Sequence, residues 1–179
     1  MFNIRIWISV FEFILAVVMT GLVIVITYKI FIRANPDFDM EAEIKKGNAA
    51  VGILVATILY CASMMLHKGM ETVISMFRLY MSSPAESNVG IVKLIFISLG
   101  HLAISMILAV ITISVTLRLF GKLDKKLQAG KELEKGNVAI GILLSSVVLI
   151  ASLYVGEGIG AVSRALVPQP SMGQIEIMR

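Results

Sequence analysis

The sequence predicts an all-α integral membrane protein, a four-helix bundle built from two tandem helical hairpins that insert in the same orientation. Three observations lead to this prediction. Hydrophobic residues make up 58% and charged residues 16% of the 179 residues, against roughly 45–50% and 25% in soluble domains. Four apolar stretches each approach the length of about 20 residues that a helix needs to cross the hydrocarbon core. A charged segment between the first two stretches recurs between the last two.

Helices explain the four apolar stretches better than strands do. The stretches are too long for membrane strands, they do not alternate in polarity, and four strands could not close a barrel. Glu12 is the one charged residue inside the first stretch before its basic end. The segment 70–81 continues the second span or forms an amphipathic helix at the membrane surface. The predicted spans are 5–32, 49–66, 94–120 and 138–160.

The distribution of Lys and Arg predicts how the chain is oriented. The loops between spans one and two and between spans three and four hold ten basic residues: Lys29, Arg33, Lys45, Lys46, Arg118, Lys122, Lys125, Lys126, Lys131 and Lys135. The opposite side holds Arg5, Lys68, Arg78, Lys93, Arg164 and Arg179. Short cytoplasmic loops are enriched in Lys and Arg, so the first side is predicted to be cytoplasmic and both termini periplasmic. This clustering also assigns the net charge of +4 to lipid contact rather than to nucleic acid.

An internal repeat predicts the domain organisation. The segment Glu43–Leu54 recurs as Glu132–Leu143, at an offset of 89 residues. The same offset pairs Thr27 with Thr116 and Ser63 with Ser152. The chain is therefore predicted to consist of two repeats, 1–89 and 90–179, each with two spans. Because two is an even number, both repeats insert the same way up, related by a pseudo-two-fold axis along the membrane normal.

Each repeat contains the same Gly-Asn turn, at Gly47 and Asn48 and again at Gly136 and Asn137. The glycine can end a short helix in a left-handed conformation, and the asparagine can cap the following span. One interpretation is a connector that starts a membrane helix. The other is a cytoplasmic docking or ligand site built from both turns.

Small residues follow both turns and predict how the helices pack. Gly52 with Ala56, and Gly141 with Ser145, have the spacing that lets helix backbones approach closely in a membrane. Spans two and four are therefore predicted to contact each other through these two faces.

Four ionisable residues are predicted to lie near the outer boundary of the membrane: Glu12, Lys68, His101 and Glu157. Each lies about 28–30 Å along its helix from the cytoplasmic end. One interpretation is a structural cluster that ties helices together through the ion pairs Glu12–Lys68 and His101–Glu157. The other is the outer mouth of a conduction or proton pathway, in which His101 titrates near neutral pH.

The sequence does not favour catalysis, a cofactor or a metal. It lacks a P-loop and a nucleophile with a suitably placed base and acid. Two histidines and the single Cys61 do not form a spaced set of zinc ligands. One cysteine also excludes a disulfide within the chain.

The repeated pattern Glu-x-x-Lys-Gly-Asn-x-Ala-x-Gly-Ile occurs at Glu43–Ile53 and Glu132–Ile142. In this pattern the chain resembles the YjfL-type family, small bacterial inner-membrane proteins of unknown function. The resemblance covers essentially the whole chain and implies a bacterial cytoplasmic membrane. It also implies genomic association with phage-shock-type membrane-stress proteins and polyamine-type enzymes. It supplies no catalytic residues.

These features predict a non-enzymatic inner-membrane protein that oligomerises, or docks a partner, within an envelope-stress or membrane-organising assembly. Its expected partners are the lipid bilayer and either further copies of the chain or another membrane or membrane-associated protein. The alternative is a channel or transporter subunit for protons, ions or small cations, with Glu12, His101 and Glu157 at its outer mouth.

Overall fold

A computed structural model describes residues 2–32, 39–82, 91–123 and 127–166 of the chain. These residues form helices, and no β-strand occurs among them. The fold class predicted from the sequence, a four-helix membrane bundle of two tandem hairpins, is therefore confirmed. The helices are α1 (Phe2–Thr27), which continues into a π-helical turn over Tyr28–Ile32, α2 (Met40–Lys45), α3 (Ala49–Ser82), α4 (Ile91–Leu123), α5 (Ala129–Glu134) and α6 (Val138–Leu166).

Four of the helices are long and apolar enough to cross a membrane. They are α1, α3, α4 and α6, and the apolar segments within them have mean hydropathies of 2.2 to 2.6. These helices correspond to the four predicted spans. The second is longer than predicted, because α3 continues without a break to Ser82. The interpretation of residues 70–81 as a continuation of span two is therefore confirmed, whereas a separate surface helix is wrong.

The two short helices α2 and α5 lie at the same end of the bundle. The side chain of Asn48, at the start of α3, donates a hydrogen bond of 2.8 Å to the backbone carbonyl of Leu133 in α5. Both hairpins therefore have their connecting turns at one end, which we call the turn end. This is the same-orientation arrangement expected for the two repeats.

Helix α3 is the centre of the bundle. It packs against α1, α4 and α6, and half of its most apolar segment is buried. The main core lies at the turn-end half of α3, where Leu54, Ile58 and Cys61 are fully buried against α4 and α6. A smaller cluster joins α1 to α3 through Met19, Val23 and Leu66.

Gly141 allows α6 to approach α3 very closely. A Cβ atom on Gly141 would lie 2.6 Å from the carbonyl oxygen of Ala50 and 2.9 Å from its Cα. Only a glycine fits at this distance, which is the close helix approach that the sequence predicts for Gly141.

The matching prediction for Gly52 is wrong. No atom lies within 4 Å of the position that a Cβ on Gly52 would take. A two-fold axis between the repeats would bring Gly52 against Ala139, which is exposed. The predicted pseudo-two-fold relation therefore does not hold at this contact. The physical reason is that α6 uses its glycine face whereas α3 offers a different face, so the two helices do not contribute equivalent surfaces.

A second close approach joins α3 to α4 at Gly69. A Cβ on Gly69 would overlap the Ser105 hydroxyl and would lie 2.7 Å from the Ser105 Cβ. The repeat-related Gly158 has open space around it. Here too the contact exists on one side only.

Candidate functional site

The two Gly-Asn turns are the most closely matched parts of the molecule. Gly47 and Gly136 have φ angles of 80° and 81°, in the left-handed region that glycine tolerates best. The backbone N–H of Asn48 donates to the Glu43 carbonyl at 3.0 Å, and that of Asn137 donates to the Glu132 carbonyl at 2.9 Å. These bonds are the expected ending of a helix at a left-handed glycine, the geometry predicted for both turns.

Each turn holds a glutamate between a lysine and an asparagine. Glu43 accepts hydrogen bonds from Lys46 Nζ at 2.6 Å and from Asn48 Nδ2 at 3.1 Å. Glu132 accepts the corresponding bonds from Lys135 at 2.8 Å and Asn137 at 3.0 Å.

These partners favour the charged forms of the turn residues. The hydrogen bonds from Lys46 and Asn48 lower the pKa of Glu43, and those from Lys135 and Asn137 lower the pKa of Glu132. The same contacts raise the pKa of Lys46 and of Lys135. Both turns therefore carry closely paired charges at neutral pH.

The turns differ in what their asparagines reach. Asn48 Nδ2 also donates to the backbone carbonyls of Leu133 at 2.8 Å and Glu134 at 3.3 Å, across the gap between the two turns. Its Oδ1 accepts from the Val51 N–H at 3.3 Å, which caps α3 as predicted. For Asn137, the side-chain bond recorded within the described residues is the one to Glu132. Asn48 thus joins the two repeats at the turn end.

At the opposite end of the bundle, the predicted ion pairs are wrong in their partners. Glu157 pairs with Lys68 at 3.3 Å, and Glu12 pairs with Arg78. The ring of Phe11 stacks on that of Phe77 beside the second pair, with ring centroids 4.1 Å apart. The stack and the ion pair therefore lie at the same level of α1 and α3.

The four predicted cluster residues consequently do not share one level. Arg78 lies ten residues beyond Lys68 on α3, which is about 15 Å along the helix. The prediction failed because counting residues along α1 gives no information on how far α1 is shifted relative to α3. His101 is buried instead of belonging to an ion pair with Glu157. Its carbonyl accepts a hydrogen bond from Ser105 Oγ at 2.9 Å, at the close approach to Gly69.

Helix α3 has an open face of small and polar residues that the sequence analysis did not recognise as one surface. Gly52 and Ala56 are four residues apart, as are Ser63 and His67 and then Glu71, so all five lie on one side of the helix, with the exposed Tyr60 between the two groups. Four of them are exposed and Gly52 is half-buried. His67 and Glu71 also approach each other at 3.5 Å. The α3 open face consists of Gly52, Ala56, Ser63, His67 and Glu71.

The repeat-related face of α6 is buried against the rest of the bundle. It consists of Gly141, Ser145, Ser152, Gly156 and Gly160. The hydroxyl of Ser145 has no hydrogen-bond partner among the described residues, and that of Ser152 lies beside the Cys61 thiol. One sequence pattern therefore occupies two environments, an interface in α6 and an open surface in α3. The repeat offset could have revealed this surface on α3, had the α6 face been known to be an interface.

No group of three or more His, Cys, Asp or Glu side chains that could hold a metal ion occurs among the described residues. The arrangement of the charged residues supports ion pairing and helix contact instead.

Comparison with known proteins places the chain in one family. A family model described as a domain of unknown function, DUF350, matches residues 5–159. No curated protein and no solved structure matches the chain.

Proposed function

The chain belongs to the DUF350 family, and we propose that it is a non-enzymatic protein of the bacterial inner membrane that works as an oligomer. In this proposal it forms part of an envelope-stress or membrane-organising assembly. The chemistry that it performs is the association of helices within the bilayer. Its charged turn end is available to a membrane-associated partner.

The α3 open face is the observation that supports this function. Gly52, Ala56 and Ser63 lie within the most apolar part of α3 and yet face away from the core. Lipid tails gain nothing from small residues and offer no hydrogen bond to a hydroxyl, whereas a second helix gains close contact from both. Membrane helices bury such residues at helix–helix interfaces, so an open face of this composition favours a further helix as its neighbour.

The charge distribution supports a location and an orientation. The turn end holds Lys45, Lys46, Lys131 and Lys135, and the basic residues flanking α2 and α5 belong to the same side. In bacterial inner membranes the side richer in Lys and Arg is cytoplasmic. In this proposal the turn end is cytoplasmic and both termini are periplasmic.

The test of the proposal is the mass of the purified full chain in lipid nanodiscs, determined by native mass spectrometry. We expect a defined number of copies that is independent of the detergent used for extraction. A single copy per disc across a range of protein-to-lipid ratios would contradict the proposal. A tag placed after Lys46 that is accessible only from the periplasm would contradict the proposed orientation.

A second candidate function is a subunit of a channel or transporter for protons, ions or small cations. The specific observation in its favour is a set of buried polar side chains inside the bundle: His101, Ser105, Ser145 and Ser152. Substitution of Glu12 and His101 by Gln separates the two functions. Unchanged ion flux in proteoliposomes with lower thermal stability would favour the structural role. Lost flux with intact folding would favour conduction.

A further inference from the structure

We propose that copies of this chain associate head to tail through a second version of the contact that joins its own two repeats. One side of the interface is the α6 side of one copy, marked by Asn137, Ala139 and Gly158. The other side is the α1–α3 side of the next copy, which carries the α3 open face. The inference rests on the oligomer of the proposed function and identifies its partner as a second copy of this chain.

Three contacts define the interface within the chain. Asn48 Nδ2 donates to the Leu133 carbonyl, the backbone of Ala50 meets Gly141, and Gly69 meets Ser105. In all three, each repeat contributes its own kind of surface. The first repeat supplies Asn48, Ala50 and Gly69, and the second supplies Leu133, Gly141 and Ser105. The interface therefore joins unlike surfaces, as a head-to-tail contact does.

The offset of 89 residues gives the positions of a second such interface. Asn137, Ala139 and Gly158 are the counterparts of Asn48, Ala50 and Gly69. Ile44, Gly52 and Ala16 are the counterparts of Leu133, Gly141 and Ser105.

Both halves of this second interface are free within the described residues. Ala139 and Ile44 are exposed, although their counterparts Ala50 and Leu133 are buried. Gly52 and Gly158 each have open space where a Cβ would lie. One chain thus presents two matching half-interfaces that it does not use.

Larger side chains are likewise buried in the interface within the chain and exposed at the repeat-related positions. Met65 is 0% exposed at the contact with α6, whereas its counterpart Tyr154 is 80% exposed on α6. Cys61 is 0% exposed, whereas its counterpart Ile150 is 57% exposed. A second copy would bury Ile150 and Tyr154 as the second hairpin buries Cys61 and Met65.

The packing of the outer helices also supports a second interface, because α1 lacks a contact that α4 has. Helix α4 packs against both α3 and α6, whereas α1 packs mainly against α3. By the offset, the counterpart of the α4–α3 contact is a contact between α1 and an α6 helix. In the proposed assembly that α6 belongs to the neighbouring copy, and Ala16 of α1 lies against Gly158.

Hydrogen bonding adds chemical complementarity. Within the chain, the side chain of Met65 lies 3.9 Å from the Cβ position of Gly156. The counterpart of Met65 is Tyr154 and the counterpart of Gly156 is His67, so Tyr154 of one copy would lie beside His67 of the next. The Tyr154 phenol then reaches a polar partner in the His67–Glu71 pair, as buried tyrosines require. Asn137 likewise gains the carbonyl of Ile44 as an acceptor.

The test uses two variants of the full chain, Tyr154→Cys and His67→Cys, each made together with Cys61→Ala so that the introduced thiol is the sole one. Both positions are exposed, so neither change disturbs the core. The two variants are mixed as monomers, reconstituted together and treated with a short bifunctional maleimide. We expect severalfold more covalent dimer from the mixture than from either variant alone. The matched control replaces His67→Cys by Ile107→Cys, at a position equally open to lipid on α4, and should give no such increase.

The outcomes separate this inference from the proposed function. An oligomer of unchanged mass that gives no excess of mixed dimer would overturn the head-to-tail interface and leave the oligomer in place. A single copy in nanodiscs would overturn both. Equal cross-linking with Ile107→Cys would also overturn the interface, because the dimer would then reflect random encounter.

Discussion

The two repeats have the same turns but opposite surroundings. Helices α2 and α5 begin and end 89 residues apart, and so do the starts of α3 and α6. Their glycines differ by one degree in φ. In the interior of the bundle the likeness disappears, since Gly141 and Gly69 are in tight contact whereas Gly52 and Gly158 are open. The comparison shows that local sequence determines the conformation of a turn, whereas the neighbouring helix determines whether a face of a span is buried or open.

The largest expected effect comes from placing leucine at the two turn-proximal glycines in separate variants. In Gly141→Leu the new side chain meets the Ala50 backbone, which cannot move aside as a side chain can. We expect the free energy of unfolding in detergent to fall by about 3 kcal/mol. For Gly52→Leu we expect no loss and a gain of up to about 1 kcal/mol from helix propensity, together with loss of the oligomer under the proposed interface. Equal destabilisation by both would contradict the one-sided packing.

The asparagines provide the second test. Asn48→Ala removes a helix cap and the bond to the Leu133 carbonyl between the repeats. We expect a loss of about 2 kcal/mol in the free energy of unfolding. Asn137→Ala removes a bond within its own turn and should cost about 1 kcal/mol. Chemical unfolding of the two variants side by side measures the difference. A larger loss for Asn137→Ala would reverse the assigned roles.

The third test concerns the glycines at the far end. Gly69→Ala brings a methyl group into Ser105, and rotating the hydroxyl does not relieve the contact with the Ser105 Cβ. We expect a loss of about 1.5 kcal/mol. Gly158→Ala has open space around it and should gain up to about 1 kcal/mol from helix propensity. Thermal unfolding monitored by circular dichroism would reveal opposite shifts, and shifts of the same sign would argue against the contact.

The smallest expected effect is a pH dependence that both turns share. The pKa of Glu43 and of Glu132 is lower in the folded chain than in the unfolded chain. Their contribution is therefore complete above the unfolded value and is lost as the pH falls below about 4.3 and through the folded pKa. The pKa of Lys46 and of Lys135 is higher in the folded chain, so their contribution to stability is complete below about pH 10.4 and is lost only as the pH rises through the folded pKa.

Thermal unfolding between pH 7 and pH 3 measures this acid dependence, and the variant with Gln at both glutamates is its control. We expect the wild-type midpoint to fall on the acid side and the control to change less. A wild-type midpoint that rises towards pH 3 would contradict the assigned sign.

Much of the fold could be predicted from the sequence because the bilayer imposes it. Span length follows from hydrocarbon thickness, and the Gly47 and Gly136 turns follow from the conformational freedom of glycine. The same sequence could not assign different roles to Gly52 and Gly141, since both have the same small-residue spacing. That distinction depends on which face α6 turns towards α3, and this is a tertiary property.

The ion pairs were harder to predict for a related reason. Depth along a helix can be counted, but the shift of one helix against another cannot. Arg78 is the partner of Glu12 because α1 lies against α3 in the register that also stacks Phe11 on Phe77. An aromatic and an acid side by side on α1, matched by an aromatic and a base side by side on α3, are a usable signal in retrospect.

The sole thiol of the chain supplies a native reporter of helix separation. Cys61 is fully buried on α3 and lies beside Ser152 of α6. An alkylating reagent can reach it only when these two helices part. With reagent in excess, alkylation is faster than reclosing, so the rate of labelling measures how often the bundle opens. The protein therefore needs no introduced probe for studies of its breathing motions in a living membrane.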